Sequence, residues 1–325
     1  MIFCQLMVVL SLIFNTKKVV LSMMYEWQEI IDEFLIEIGV RGYAEQTIYN
    51  YSTKLINIKD YFTAQGIKYI DDVTKQDVKK WIAEMQKKGM QASTINVTRN
   101  RLSKVYDYMI EEDYIQKNPC VKVKKLRVQK KIIYPLDDYE IKQMLNLASK
   151  HKYKHVAQRD ITMFSMMLEC GLRISEVANL KNEDVLENQI LIRNSKFNKD
   201  RALAITPILK KQMIKYDRIK RRSYKFKSDY YFRSFFGDGI NPKSIFMMMK
   251  EMKKDMDVRS VVRFSPHTLR HTYAYMQMRN GCDIYTLSMN MGHGTITMTQ
   301  NYLQTLKSDD FVKESIKYST LQNLR

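Results

Sequence analysis

Between Tyr25 and Ile115 apolar residues recur every three to four positions, in short segments set off by glycines. Trp27, Ile30, Ile31, Phe34, Leu35 and Ile38 form one stripe, and Gly39 follows as its stop. Ile48, Tyr51, Leu55, Ile58 and Phe62 form a second, before Gly66. Thr74, with Asp77 three residues later, reads as an N-cap for a third stripe of Val78, Trp81, Ile82 and Met85, stopped by Gly89. Ser93 or Thr94 starts a fourth, through Leu102, Val105, Tyr106 and Met109. This period belongs to helices and not to strands. Four such helices with short connections predict a small helical bundle over 24–118, closed by Asn118-Pro119.

A second block has a different grammar. Lys122, Lys124, Lys125, Arg127, Lys130 and Lys131 crowd a segment, 119–134, that reads as a basic linker and as a strap across a phosphate backbone. From Pro135 to the end, 135–325, helices and strands mix. Ile161, Met163, Phe164, Met167 and Leu168 predict a buried helix with Gly171 as its left-handed cap. Gln189–Arg193 and Arg201–Thr206 read as strands joined by a hairpin loop, and Tyr230–Phe232 as a further strand or a buried turn. Asn241-Pro242 opens a methionine-rich helix to Lys254, its methionines read as core filler. The fold class is therefore mainly α with a small antiparallel β-sheet (α+β).

Charge narrows the partner. Lys and Arg number 54 against 35 Asp and Glu, a net charge of +19, which selects a polyanion and above all nucleic acid. The four cysteines, Cys4, Cys120, Cys170 and Cys282, stand at neither metal-ligand nor disulfide-framework spacing, as in a reducing cytoplasm. His151 and His155 are four apart but have no third ligand nearby. No carboxylate cluster points to two-metal phosphoryl chemistry. The first 14 residues are apolar yet too few to span a bilayer, and no basic residue precedes them as in a signal peptide. Met23 and Met24 stand just before the first helical stripe, so 1–22 reads as an over-called or disordered extension.

The chemistry gathers in the last half. Ser265 as N-cap and Pro266 in the first turn place His267 and Arg270, three apart, on one face at a helix start, where anions are already favoured. Arg173, in Gly171-Leu-Arg-Ile-Ser-Glu176, is a second guanidinium, with Glu176 able to orient it. Two guanidiniums can hold both non-bridging oxygens of a phosphate and stabilise its transition state. Lys196 in the hairpin loop can protonate a departing 5′ oxygen, with Lys199 its rival. His293, in Gly292-His-Gly, precedes Tyr302 by nine residues. A tyrosine hydroxyl needs such basic neighbours to become a nucleophile.

In order and spacing, Gly171-Leu-Arg-Ile-Ser-Glu-Val-Ala-Asn-Leu180, the hairpin 195–201, Ser265-Pro-His-Thr-Leu-Arg-His-Thr272 and Met291-Gly-His-Gly-Thr-Ile-Thr-Met-Thr-Gln-Asn-Tyr302 resemble the tyrosine recombinase (lambda-integrase) family, and in size the chain resembles its compact Xer-like or transposon-encoded members. The resemblance covers about 25–305. It implies an N-terminal SAM-like core-binding domain and a C-terminal catalytic domain forming a C-shaped clamp on DNA. It implies that Arg173 and Arg270 clamp the scissile phosphate, with Glu176 supporting. Lys196 is then the general acid, His267 assists proton transfer, His293 bonds the phosphate, and Tyr302 forms a 3′-phosphotyrosyl bond. The implied partners are double-stranded DNA and a homotetramer on two sites, exchanging strands through a Holliday junction, with a directionality factor or second recombinase as accessory. Neither a metal nor another cofactor nor a membrane is implied. The implied setting is the cytoplasm of a bacterial or phage-infected cell, at the nucleoid, and the tail after Tyr302 is implied to dock on a neighbouring protomer. Gly294 and Phe197 depart from the usual pattern without removing a catalytic group. A type IB topoisomerase shares the chemistry, and a DNA-binding regulator could share the fold.

Overall fold

The computed structural model describes residues 24–129, 133–193, 200–224 and 226–303, and of residues 301–303 only their place in a helix. The chain divides into two compact units, one ending at Lys130 and one beginning at Lys131. The expectations for 1–22, for Lys130, Lys131, Lys196 and Lys199, and for the tail beyond 303 lie outside the described residues.

In the first unit the amphipathic stripes become α1 (Trp27–Val40), α2 (Glu45–Ala64), α3 (Lys75–Lys87) and α4 (Ala92–Glu111). Their apolar faces meet in one core that includes Ile30, Phe34, Leu55, Trp81 and Leu102, with Trp27 stacked on Phe62 at 5.5 Å between ring centroids. Thr74 and Asp77 form the reciprocal cap: Asp77 N donates to Thr74 Oγ1 at 3.3 Å and Thr74 N to Asp77 Oδ2 at 3.1 Å. Gly39 is not the stop expected of it. α1 runs on to Val40, Arg41 N still reaches Glu37 O, and the left-handed residue is Gly42.

The basic segment also differs from a free tether. Asn118 donates to Ser103 O and Asp107 Oδ1, and accepts from Cys120 N. Arg99 donates to the carbonyls of Cys120 and Val123, and Asn96 pairs with both backbone groups of Leu126. Cys120 and Val123 are buried in the first unit's core, while Lys122, Lys124, Lys125 and Arg127 are exposed. A buried backbone needs such partners, so 118–126 is stitched to the bundle with its cations facing out.

The second unit holds α5 (Asp138–Ser149), α6 (Lys154–Cys170), α7 (Ile174–Asn179), β1 (Gln189–Ile192), β2 (Arg201–Ala204), α8 (Pro207–Ser223), α9 (Pro242–Met252), α10 (Pro266–Arg279), α11 (Ile284–Met291) and α12 (Ile296–Leu303). α6 is the central helix: Met163, Phe164, Met166 and Met167 are buried, and α5, α8 and α10 pack on it. β1 and β2 pair antiparallel, Gln189 opposite Ala204 and Ile192 opposite Arg201. Tyr230 makes only an isolated bridge to Lys181, with Tyr231 and Phe232 buried behind it. The methionines of α9 serve as filler on one face alone, since Met249 is buried and Met247 exposed. Among the described residues no helix is long and apolar enough to cross a membrane.

Candidate active site

Three chain reversals build the site. The first is the end of α6. Gly171 takes φ of +61°, and a Cβ there would lie 2.2 Å from the Tyr273 ring. Only glycine satisfies both the left-handed turn and the close approach. The turn aims Gly171 O at α10, where it accepts from Arg270 Nη1 at 2.6 Å. The same turn delivers Arg173 to the start of α7. There Arg173 N donates to Glu176 Oε2 at 2.8 Å and Arg173 Nη1 to Glu176 Oε1 at 2.7 Å.

The second reversal is the start of α10. Ser265 Oγ accepts from Thr268 N, with Pro266 in the first turn, as expected from the sequence. Arg270, one turn in, is 3% exposed. His267, three residues earlier, is exposed. The protein around His267 and the guanidiniums of Arg270, Arg263 and Arg173 hold its imidazole below the ordinary histidine value.

The third reversal is the end of α11, where Gly292 takes φ of +60°. Met291 O accepts from Arg270 Nη2, and Gly292 O accepts from Arg173 Nη2 at 3.1 Å. Arg201, the first residue of β2, donates Nε to Asn290 O at 2.8 Å. A Cβ on Gly292 would lie 2.8 Å from Arg201 Nη1. Arg201 also grips Glu176 with both terminal nitrogens, at 3.1 and 2.8 Å. Arg270 Nη1 stands 4.0 Å from Glu176 Oε2. One buried carboxylate thus orders three guanidiniums. Burial alone would raise the Glu176 carboxyl, but the hydrogen bonds and charge of Arg201, with the backbone and side chain of Arg173, hold it below the usual range.

His293 joins this group through Arg270, whose Nη2 lies 3.0 Å from His293 Nε2. Its other ring nitrogen, Nδ1, lies 2.8 Å from Thr299 Oγ1 on α12. Burial and the charges of Arg270, Arg173 and Arg201 push the His293 pKa down to about 4. Tyr302 sits in the last turn of α12, three positions after Thr299.

The structure therefore gathers Arg173, Glu176, Arg270 and His293 around one turn, with His267 on the same helix as Arg270 and Tyr302 on the same helix as Thr299. Two participants carried no sequence-based role. Arg201 appeared only as the last residue of the hairpin motif and the first of a strand, and Thr299 only as a spacer in the final motif. The signal for Arg201 was an arginine opening a strand after a basic loop, which alone does not name a partner. Among the described residues no group of three or more His, Cys, Asp and Glu stands close enough to hold a metal ion.

Known proteins match this architecture along its length. The phage integrase family matches residues 134–309, more than half of the chain, and the phage integrase N-terminal SAM-like domain matches residues 31–113. The tyrosine recombinase XerD of Staphylococcus aureus is 26% identical over 285 residues, covering 86% of this chain and 95% of that protein. The tyrosine recombinase XerC of Bacillus licheniformis is 24% identical over 272 residues, covering 82% and 88%. A lambda integrase dimer bound to a COC′ core site superposes with a TM-score of 0.69 at 16% identity, over 83% of this chain and 96% of that one. The Tn1549 transposon integrase in complex with transposon right end DNA superposes with a TM-score of 0.67 at 21% identity, over 89% and 98%. The chain belongs to the phage integrase family: it is a site-specific tyrosine recombinase, a DNA-cleaving and rejoining enzyme.

Proposed function

We propose that Arg173, Arg270 and His293 grip the scissile phosphate of a specific duplex site while Tyr302 attacks it. In this reading the Tyr302 oxygen bonds to phosphorus as the P–O5′ bond breaks. His267 takes the phenolic proton and Lys196 gives one to the leaving 5′ oxygen. A 5′ hydroxyl from the partner strand then reverses the step, so the 3′-phosphotyrosyl bond conserves the phosphodiester energy. The observation that carries this is the convergence of two guanidiniums on one turn. Arg270 reaches Met291 O and His293, and Arg173 reaches Gly292 O, both beside Glu176. Preorganised donors of this kind stabilise charge that develops in a transition state.

The solved relatives extend the reading to assembly. A lambda integrase tetramer has been seen bound to a Holliday junction. Four copies of this chain on two DNA sites are the corresponding arrangement, each with its two units clamped on the duplex and its basic strap of Lys122, Lys124, Lys125 and Arg127 on the backbone. Movement of a phage or other mobile element in the bacterial cytoplasm, at the nucleoid and with a directionality factor or second recombinase, is the role proposed.

Covalent trapping tests it. Wild type and Tyr302→Phe are incubated with fragmented DNA from the host and the flanking element, denatured, and whatever stays attached is sequenced. Adducts with wild type alone, at one short inverted-repeat site, are expected. An adduct in Tyr302→Phe refutes the nucleophile, and adducts scattered without a site refute site-specificity in favour of a topoisomerase.

A further inference from the structure

His293 is held at both ring nitrogens, and its two partners differ in kind. Arg270 can only donate, so His293 Nε2, 3.0 Å away, accepts. The ring is then the Nδ1–H tautomer, and Thr299 Oγ1 accepts its proton at 2.8 Å. A phosphate oxygen at neutral pH is an acceptor. If His293 binds it, as the proposed function holds, Nε2 must carry the hydrogen instead. The DNA-free tautomer is the wrong one for the bound state.

We propose that Thr299 is a positioning residue that lets His293 exchange tautomers when a phosphate arrives, which rests on the phosphate-gripping role given to His293 above. A threonine hydroxyl both donates and accepts. Rotating about its Cβ–Oγ bond, it accepts from Nδ1–H in the empty site and donates to bare Nδ1 in the occupied one, while Arg270 Nη2 shifts from Nε2 to the phosphate. Nε2 gains one proton from solvent and Nδ1 returns one, so the ring ends neutral. The alternative, an imidazolium, is opposed by the same burial and guanidiniums that lower its pKa. Thr299 is fully buried, so bulk solvent does not replace its hydroxyl. It lies one turn before Tyr302 on the same helix, which ties the phosphate-binding histidine to the helix of the nucleophile.

The test is nitrogen-15 NMR of the full chain with labelled histidine, His293→Gln assigning the signal, without and with inorganic phosphate as the probe. Phosphate binding is followed independently by its phosphorus-31 line width. Wild type and Thr299→Ser are expected to show His293 as Nδ1–H when free and as neutral Nε2–H when phosphate is bound. Thr299→Val removes the Nδ1 partner in both states, so the ring loses its anchor rather than its choice of proton, and adduct formation on the trapped site is expected to fall by about 10- to 100-fold, as when a metal-ligating histidine loses its outer partner, while the serine variant stays close to wild type. An Nε2–H ring in the free protein, an imidazolium with phosphate, or a Thr299→Val variant that forms adducts as readily as wild type overturns the proposal. Absence of phosphate binding in wild type overturns the phosphate-gripping role itself, and the exchange with it.

Discussion

Glu176→Gln is the sharpest perturbation, because it changes a charge and almost no volume. The carboxylate, 7% exposed, accepts from Arg173 N, Arg173 Nη1 and both terminal nitrogens of Arg201. Each oxygen takes two of these donors. Whichever way a glutamine amide turns, its nitrogen faces two donors it cannot satisfy. Hydrogen bonds to charged groups contribute about 1.5–3 kcal/mol each, so two lost bonds cost about 3–6 kcal/mol. Removing one partner of a buried ion pair typically costs about 3–5 kcal/mol, and the two routes agree near 4 kcal/mol. The effect is also pH-dependent with a fixed sign. Glu176 has its folded pKa depressed below its ordinary 4.5, so its stabilisation is fully present above that value and is lost as pH falls through the folded pKa. The gap between wild type and variant is therefore constant from pH 7 to about pH 5 and shrinks below it. The assay must watch the second unit. Both tryptophans, Trp27 and Trp81, lie in the first, so tryptophan fluorescence reports the wrong transition. Native-state hydrogen exchange of α6, α7 and α10 reads the right one. A difference under about 1 kcal/mol at pH 7, set against the roughly 4 kcal/mol estimate, would refute the argument, as would a gap that fails to shrink in acid.

Other outcomes follow from the same geometry. With His293 at about 4 when folded against 6.5 ordinarily, the unfolded chain takes up a proton first, so wild type loses up to about 1–3 kcal/mol as pH falls from 6.5 to 4. His293→Gln, measured in parallel urea titrations of the second unit by circular dichroism, should lack that component. Gly171→Ala should destabilise by about 2–4 kcal/mol, from left-handed backbone and a forced shift of Tyr273, and a thermal melt unchanged from wild type would exclude it. Replacing Lys122, Lys124, Lys125 and Arg127 together with glutamine should flatten the salt dependence of duplex binding by up to about 0.9 per lost phosphate contact. An unchanged slope in fluorescence anisotropy would remove the strap from the interface.

Local rules explain which parts were legible in the sequence. Thr74 with Asp77, Ser265 with Pro266, and Gly171 act within one turn of chain, and each stands where its spacing placed it. Gly39 failed because Gly42, three residues on, offers a second stop, and the helix ladder still closes at Arg41. α8 was missed because its buried stripe of Leu209, Met213, Tyr216 and Lys220 ends in a lysine and lies among exposed cations. That lysine's ammonium is received by Asp217 on the same helix and by Asn182 and the Tyr231 ring from other segments. The segment read as an extended linker because its anchors on the bundle, Asn96 and Arg99, lie a helix earlier. Arg201 had the same fault on a longer scale: its partners Glu176 and Asn290 are 25 and 89 residues away.

Arg201 also settles the charge balance of the site. Arg173, Arg201 and Arg270 carry three positive charges against the single negative charge of Glu176, while His293 is held neutral. The formal charges of these groups sum to +2. A phosphodiester brings one negative charge, and a phenolate attacking it brings a second. Under the proposed function, matching is therefore closest when the nucleophile has lost its proton and weaker for the diester alone, which is the difference that accelerates a reaction. Glu176 keeps three guanidiniums from repelling one another before DNA arrives. Its charge is shared mainly by Arg173 and Arg201, at 2.7 to 3.1 Å, whereas Arg270 stands off at 4.0 Å. Arg270 is instead held by Gly171 O, Met291 O and His293, partners that offset less of its charge than a carboxylate would. Of the three, Arg270 is the least closely tied to the carboxylate and Arg201 the most, and in the proposed function it is Arg270 that meets the phosphate. Substituting Arg201 should therefore act mainly through the placement of Glu176 and stability, and substituting Arg270 mainly through the rate of cleavage.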